Sequence, residues 1–171
     1  GGVGPLVSLV REGTPVQREH AARAVGNLAV GNAANKDAIR EAGGVGPLVA
    51  LVQEGTPEQR EQAAWALGFL ANGANRDAIR EAGGVGPLVS LVREGTPVQR
   101  EHAARAVGNL AVGNAANKDA IREAGGVGPL VALVQEGTPE QREQAAWALG
   151  FLANGANRDA IREAGGVGPL V

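Results

Sequence analysis

The chain has 171 residues and a formal net charge of -2, with 44% hydrophobic residues, 20% charged residues and no cysteine. The lack of cysteine excludes disulfides and thiolate chemistry. No apolar run is long enough to cross a bilayer, and no targeting signal is recognisable, so we expect a soluble chain whose cellular location its sequence leaves open. Because basic and acidic residues nearly balance, the sequence argues against a nucleic-acid partner, and the lack of a long apolar run argues against a membrane partner.

An internal repeat accounts for the whole chain. The motif GGVGPLV recurs and divides it into units 1–42, 43–82, 83–124 and 125–164, followed by a fragment, 165–171. Units 1–42 and 83–124 are of one type, called A, and the other two are of a second type, called B. Residues 1–89 are identical to residues 83–171, which indicates engineering or a very recent duplication, and the missing initiator Met fits an excerpt. A unit of about 40 residues buries too little surface to fold alone, so we predict one solenoid domain over 1–171.

The first helix predicted in an A unit contains apolar residues at helical spacing. Pro5 suits its first position and Gly13 suits a left-handed stop at its end. The second helix begins at a capping box, with Thr14 as N-cap, Pro15 at N1 and Gln17 at N3, and runs to about Val30. A strand over GVGPLVSLV is the alternative, but its glycine and proline interrupt the alternation that a strand requires.

The third predicted helix of the A unit is short. Asn35 can cap it, Asp37 lies in its first turn, where a carboxylate favours the helix dipole, and Gly43 ends it. The B units repeat these signals, with Asn75 as the equivalent cap. Each unit therefore contains three predicted helices.

The two unit types differ along one stripe of the second helix. Four of their nine differences fall at positions 20, 23, 27 and 30 of the A unit, a spacing of 3, 4 and 3 that places them on one helical face. The opposite arc stays apolar and small in both types: Ala21, Ala22, Ala24, Val25, Leu28 and Ala29 in the first unit. Since an unpaired Arg or Asn in a core costs several kcal/mol, we predict that the stripe faces solvent or a partner.

The segments AIREAG, GGVGPLVALV and QAAWALGFLA resemble armadillo repeats from end to end of the chain. The resemblance implies an all-α, armadillo-like solenoid, a right-handed superhelix with three helices in each repeat of 40 to 42 residues. It also implies a non-enzymatic scaffold that binds extended peptide or protein segments in a concave groove lined by the third helices of the repeats, which are the long helices described above.

Members of the nuclear-import type carry a Trp and, four residues on, an Asn on that helix. Here the Trp matches Trp65 and Trp147 and the Asn matches Asn27 and Asn109, so no unit has both. The A units have Arg23 and Arg105 at the Trp position, where Arg should repel a Lys-rich ligand. The predicted binding residues are His20, Arg23, Asn27, Gln62, Trp65, Phe69, Asn72, His102, Arg105, Asn109, Gln144, Trp147, Phe151 and Asn154.

Two other interpretations of the stripe remain open. Arg and Trp side chains that follow one another along the groove could stack on each other, because a guanidinium is attracted to an aromatic face, and leave the groove merely solvated. Alternatively, the chain could be an engineered building block that binds itself, through exposed Trp and Phe or end to end. In the end-to-end case, residues 157–164 of one copy would cover the first helix of the next.

No catalytic, metal or cofactor site is predicted. GGVGPL lacks the Lys and the Ser or Thr of a phosphate-binding loop, so its glycines are better explained as helix stops. His20 and His102 have no ligand partners at metal spacing, and no nucleophile has a neighbouring base.

Overall fold

The structure, a computed structural model, describes residues 1–167, and twelve α-helices without any β-strand occupy that part of the chain. The helices are α1 (Val3–Glu12), α2 (Pro15–Ala29), α3 (Ala33–Glu41), α4 (Val45–Glu54), α5 (Pro57–Leu70), α6 (Gly73–Glu81), α7 (Val85–Glu94), α8 (Pro97–Ala111), α9 (Ala115–Glu123), α10 (Val127–Glu136), α11 (Pro139–Leu152) and α12 (Gly155–Glu163). GVGPLVSLV is helical in both copies, so the strand alternative is wrong. The end of the fragment 165–171 lies outside the described residues.

The helices stack in three columns. One contains α1, α4, α7 and α10, a second contains the long helices α2, α5, α8 and α11, and a third contains the short helices α3, α6, α9 and α12. Each helix contacts the equivalent helix of the next unit, so successive units form layers of one solenoid. We call the column of α2, α5, α8 and α11 the long-helix column.

A capping box starts every helix of the long-helix column, as predicted. At α2 the Thr14 backbone N–H donates to Gln17 Oε1 at 2.9 Å, and the Gln17 N–H donates to Thr14 Oγ1 at 3.3 Å. The same pair of bonds occurs at Thr56, Thr96 and Thr138. These bonds satisfy amides that have no partner within the helix, and they fix where each long helix begins.

Two details of the first helix differ from the prediction. Gly13 is extended, with φ -68° and ψ 168°, and not left-handed. A Cβ at Gly13 would lie 2.6 Å from the Leu9 carbonyl oxygen, so glycine is required there by close approach. Helix α1 begins at Val3, which places Pro5 inside the first turn; proline is tolerated there because the N–H that it lacks would have no helical partner.

The cap of the short helix also differs from the prediction. Asn32, not Asn35, is the N-cap of α3, and its Oδ1 accepts the Asn35 N–H at 2.9 Å. Asn35 instead donates from Nδ2 to the Leu28 carbonyl oxygen at 2.9 Å. The predicted helix end is confirmed, because Gly43 has φ +75°, the left-handed region that glycine favours.

Small residues fill the core of the long-helix column. The predicted apolar arc is buried: Ala63, Ala64, Ala66, Leu67 and Leu70 of α5 are all 0% exposed. In the first unit Ala24 and Leu28 are only partly buried. Small side chains let neighbouring helices approach closely, and this approach sets the distance between layers.

The capping glutamine also joins one layer to the next. Gln99, which is 4% exposed, donates from Nε2 to the Pro57 carbonyl oxygen at 2.8 Å while its Oε1 accepts the Thr96 N–H. Gln59 and Gln141 make the equivalent bonds to Pro15 and Pro97. A single side chain therefore starts a long helix and attaches it to the preceding one.

The substitution Gln99→Glu tests this double role. The carboxylate can still accept the Thr96 N–H, but it cannot donate to the Pro57 carbonyl and faces it with a charge. We expect the free energy of unfolding at neutral pH to fall by about 1–3 kcal/mol, the cost of an unpaired buried polar group. Urea unfolding followed by circular dichroism measures this change.

The matched control is Gln17→Glu, because Gln17 is exposed and, among residues 1–167, makes the capping box without a cross-layer bond. Its effect should stay within about 0.5 kcal/mol, as for ordinary surface substitutions. Equal losses in the two variants would contradict the cross-layer role.

Candidate functional site

The predicted binding residues lie on one side of the long-helix column. Most of them lie within its helices, and Asn72 and Asn154 lie just beyond the ends of α5 and α11. His20, Arg23, Asn27 and Trp147 are exposed, and the remaining predicted residues are half-buried. None of them is a fully buried residue of the apolar core, although Phe69 and Phe151 pack against it. The opposite arc is buried in the two inner long helices, α5 and α8. We call this side of the column the stripe face. Asn72 and Asn154 are also the N-caps of α6 and α12.

A glycine on the preceding helix receives each tryptophan of the stripe face. Trp147 lies so close to Gly108 of α8 that a Cβ there would be 2.5 Å from its Cζ3, and Trp65 packs against Gly26 of α2 in the same way. Trp147 is nevertheless 39% exposed. Each Trp is therefore anchored against the neighbouring layer while part of its surface stays accessible to a ligand.

Arg105 occupies the Trp position in the second A unit, and it stacks on Phe, not on Trp. The Arg105 guanidinium carbon lies 5.5 Å from the Phe69 ring centroid, and Glu101 approaches the same guanidinium at 3.5 Å. Phe69 meets the Trp65 ring edge to face, with centroids 5.1 Å apart. The alternative of an Arg–Trp stack is not observed within residues 1–167, where Arg105 covers the ring of Phe69 instead.

Two depressions of similar composition open on the stripe face, one A–B pair apart. The first, of about 270 Å³, is lined by Arg23, Asn27, Gln62, Trp65 and His102. The second, of about 330 Å³, is lined by Arg105, Asn109, Glu143, Gln144 and Trp147. In each, the Trp of a B unit meets the Asn of the preceding A unit. The Trp and Asn that no single unit combines are thus brought together by stacking.

Asn109 has a structural role besides lining the second depression. Its Nδ2 donates to the Gly68 carbonyl oxygen at 2.8 Å. That carbonyl lacks its helical partner, because the Asn72 N–H bonds to Leu70 at the end of α5. Asn27, the equivalent residue on α2, is exposed and makes no side-chain hydrogen bond within residues 1–167. Its amide is therefore accessible to a ligand.

Charge is sparse in the first depression. Burial, and secondarily the nearby Arg105, lowers the pKa of His102 to about 4, so this imidazole is neutral at pH 7. Arg23 is exposed and forms no ion pair with another residue of 1–167. The formal charge of this depression is therefore that of one guanidinium. The second depression differs, because it contains Glu143 and because Arg105 is paired with Glu101.

Neither a metal site nor a membrane span is evident in the described residues. No group of three or more His, Asp or Glu side chains within 1–167 is arranged to hold a metal ion. None of the twelve helices is both long enough and apolar enough to cross a membrane.

Comparison with known proteins identifies the class. The model of the armadillo/β-catenin-like repeat matches residues 32–71, 74–112 and 114–153, well over half of the chain. Each match begins at or beside a short helix and ends near the end of a long one, so a family repeat comprises a short helix, a helix of the first column and a long helix. The chain belongs to the armadillo repeat family, and it is an all-α repeat scaffold. No curated protein matches it.

Several solved structures of designed or engineered proteins resemble this one. A designed armadillo repeat protein in complex with the peptide (KR)4 is 31% identical, with a TM-score of 0.90 over 96% of this chain and 71% of that one. A computationally designed armadillo repeat protein for modular peptide recognition is 30% identical, with a TM-score of 0.91 over 98% and 72%. An engineered protein is 39% identical, with a TM-score of 0.91 over 97% and 41%.

These relatives agree with two expectations drawn from the sequence. The letter-for-letter repeat predicted a designed character, and all three of these relatives are designed or engineered proteins. The prediction that the chain is not an enzyme agrees with two of them, one in complex with a peptide and one designed for modular peptide recognition.

The glycines that receive Trp are functional residues that the sequence reasoning missed. A signal was present, because glycine stands at positions 26, 68, 108 and 150, inside every long helix of both unit types. Glycine is disfavoured within a helix, so its recurrence there indicates that a neighbour approaches closely.

Gly108→Ala is expected to destabilise the protein. The added Cβ would overlap the Trp147 ring and crowd the Ala148 Cα at 3.1 Å, and such overpacking costs about 1–3 kcal/mol. Gly68→Ala is the matched control, because its Cβ meets Ala106 at ordinary contact distances of 3.7–3.8 Å. That variant should gain up to about 1 kcal/mol from helix propensity. Urea unfolding compares the two, and equal signs would contradict the Trp–Gly packing.

His102→Gln should flatten the acid limb of the stability profile. The folded-state pKa of His102, about 4, lies below its ordinary value of 6.5. The unfolded chain therefore takes up the proton first as pH falls, and stability is lost between pH 6.5 and about 4. Gln is the residue that the B units carry at this position. Urea midpoints across this range should fall less in His102→Gln than in the parent, whereas parallel profiles would contradict the lowered pKa.

Proposed function

We propose that this chain is a scaffold that binds an extended peptide or protein segment in a concave groove along the stripe face. The observation that carries the proposal is the pair of equivalent depressions, each with a part-exposed Trp beside an Asn of the preceding unit. Trp offers apolar surface with little conformational freedom to lose, and Asn amides can bond a peptide backbone. The resemblance to a designed armadillo repeat protein in complex with the peptide (KR)4 supports peptide binding by this scaffold.

The spacing of the depressions limits the ligand. They lie two long helices apart, and neighbouring helix axes are about 8–10 Å apart, so the separation is about 20 Å or somewhat less on a concave side. An extended peptide advances about 3.3 Å per residue. The ligand should therefore place matching side chains roughly five or six residues apart.

The charge of the ligand should be opposite to that of (KR)4. Arg23 is the single formal charge in the first depression and has no acidic partner among residues 1–167. A carboxylate of the ligand can pair with this guanidinium while an aliphatic neighbour covers Trp65. A Lys or Arg side chain would meet a like charge there, and like charges at an interface disfavour binding.

Two labelled peptides of equal length, (KR)4 and (EL)4, provide the test. Fluorescence anisotropy should show tighter binding of (EL)4, because Glu can pair with Arg23 and Leu can cover Trp. The double variant Trp65→Ala, Trp147→Ala should weaken (EL)4 binding at least about tenfold, as expected when a central aromatic anchor is removed. Arg23→Gln should reduce the preference for (EL)4 over (KR)4 without abolishing binding.

Circular dichroism of each variant controls for loss of the fold. Binding of (EL)4 that survives removal of both Trp side chains would place the peptide elsewhere. Tighter binding of (KR)4 by the parent would overturn the proposed charge preference. If the Trp double variant then failed to bind (KR)4, the groove would still be the binding site.

A further inference from the structure

The same sequence occupies two different environments in this protein. Helix α1 has the sequence of α7, one A–B pair later. Leu91 of α7 is 5% exposed, whereas the identical Leu9 of α1 is 40% exposed. Leu88 is fully buried and its equivalent Leu6 is only half-buried. The outer face of α1 is thus the face that α7 buries against the layer before it.

The outer face of the last layers shows the complementary difference. Ala64 of α5 is 0% exposed, while the equivalent Ala146 of α11 is exposed. Arg80 of α6 has 28% of its side chain exposed, and Arg162 of α12 has 67% exposed. Gly68 lies against Ala106 of the next long helix, but nothing lies within 4 Å of a Cβ placed at Gly150.

Inside the chain, the surfaces equivalent to these two faces meet between the layer of α4–α6 and the layer of α7–α9, where hydrogen bonds join them. Besides the Asn109 and Gln99 bonds described above, Arg76 Nε donates to the Asn109 carbonyl oxygen at 2.8 Å, and Arg80 Nη1 donates to Asn117 Oδ1 at 2.7 Å. Asn114 Nδ2 also donates to Asp77 Oδ1 at 2.9 Å. The equivalent groups on the outer faces are Gln17, Asn27, Asn32 and Asn35 on the α1–α3 side, and Pro139, Gly150, Arg158, Asp159 and Arg162 on the α11–α12 side.

We propose that the 171-residue chain associates head to tail, with the outer face of α1 and α2 of one copy docked on the outer face of α11 and α12 of another. The occupant of each face is a second copy, because that copy presents residue for residue the surface that already packs there inside the chain. In the contact, α12 of one copy is followed by α1 and α2 of the copy docked on it. These three helices together form a family repeat like that of α6, α7 and α8. The first seven residues of the docked copy have the same sequence as residues 165–171.

Such an interface joins two different faces, so each docked copy still presents one free face of each kind. Association is therefore heterologous, and it either extends into linear stacks or closes into rings. It buries Leu9 and covers Gly150. By equivalence with Arg105 and Asn109, docking also places Arg23 over Phe151 and bonds Asn27 to the Gly150 carbonyl oxygen, whereas Trp65 stays on the stripe face. Trp65 therefore distinguishes peptide binding in the groove from head-to-tail docking.

Two single substitutions each disable one face. Leu9→Glu places a carboxylate where docking would bury a leucine, and its exposed position allows the monomer to fold. Gly150→Glu adds a side chain to an open helix surface, so the monomer can still fold. At the equivalent Gly68, the packed neighbour Ala106 leaves room for little more than a methyl group, so a Glu at position 150 would block docking. Val16→Glu is the matched control, because Val16 is 60% exposed and the B units carry Glu at this position.

Sedimentation velocity from micromolar to millimolar protein measures the outcome. The parent and Val16→Glu should increase in mass with concentration, and Leu9→Glu and Gly150→Glu should each stay monomeric. An equimolar mixture of those two variants should form a one-to-one dimer and nothing larger, since it contains one intact face of each kind. Circular dichroism verifies that every variant is folded.

Other outcomes would overturn the proposal. A parent that remains monomeric at millimolar concentration contradicts it directly. Oligomers that persist in both single-face variants, or that Trp65→Ala abolishes, would place self-association on the aromatic side chains of the stripe face. A mixture of the two variants that stays monomeric would show that the two faces do not bind each other.

Discussion

The close approach of neighbouring long helices is the constraint on which the other features depend. Alanine and glycine occupy the contact surfaces of α2, α5, α8 and α11, and side chains such as Ala64, Ala66 and Ala104 are fully buried. A larger residue there would push the layers apart. The spacing brings Gln99 within hydrogen-bonding distance of Pro57 and Asn109 within reach of Gly68. It also brings each Trp against the helix before it.

Alternation of the two unit types creates two kinds of junction in the column. From A to B, a Trp packs on a glycine, and a depression opens beside it. From B to A, Arg105 covers Phe69 and Asn109 caps the carbonyl end of α5. The first junction leaves aromatic surface and polar groups accessible, whereas the second uses its polar groups internally. The stripe face therefore repeats with every two units, and not with every unit.

The sequence predicted the local features of the fold well because they depend on neighbours along the chain. The capping box of Thr14 and Gln17 and the left-handed Gly43 each involve residues within about one helical turn. Asn35 was misassigned because Asn32 offers the same side chain three residues earlier, and only the loop geometry selects between them. The partner of Arg105 was not predictable, since it depends on how two layers are offset. The recurring helical glycine signals a close neighbour, but the sequence does not identify that neighbour as Trp147.

The capping glutamine makes the start of one helix depend on the layer beneath it. When the layer that contains Pro57 is disordered, the Gln99 side chain loses the acceptor that holds it in place. Its bond to the Thr96 N–H, which orders the first turn of α8, is then weakened. Order is therefore passed from layer to layer, as in a one-dimensional lattice whose sites are stabilised by their nearest neighbours. Amide hydrogens in the first turn of a long helix should consequently report on the integrity of the preceding layer as well as on their own.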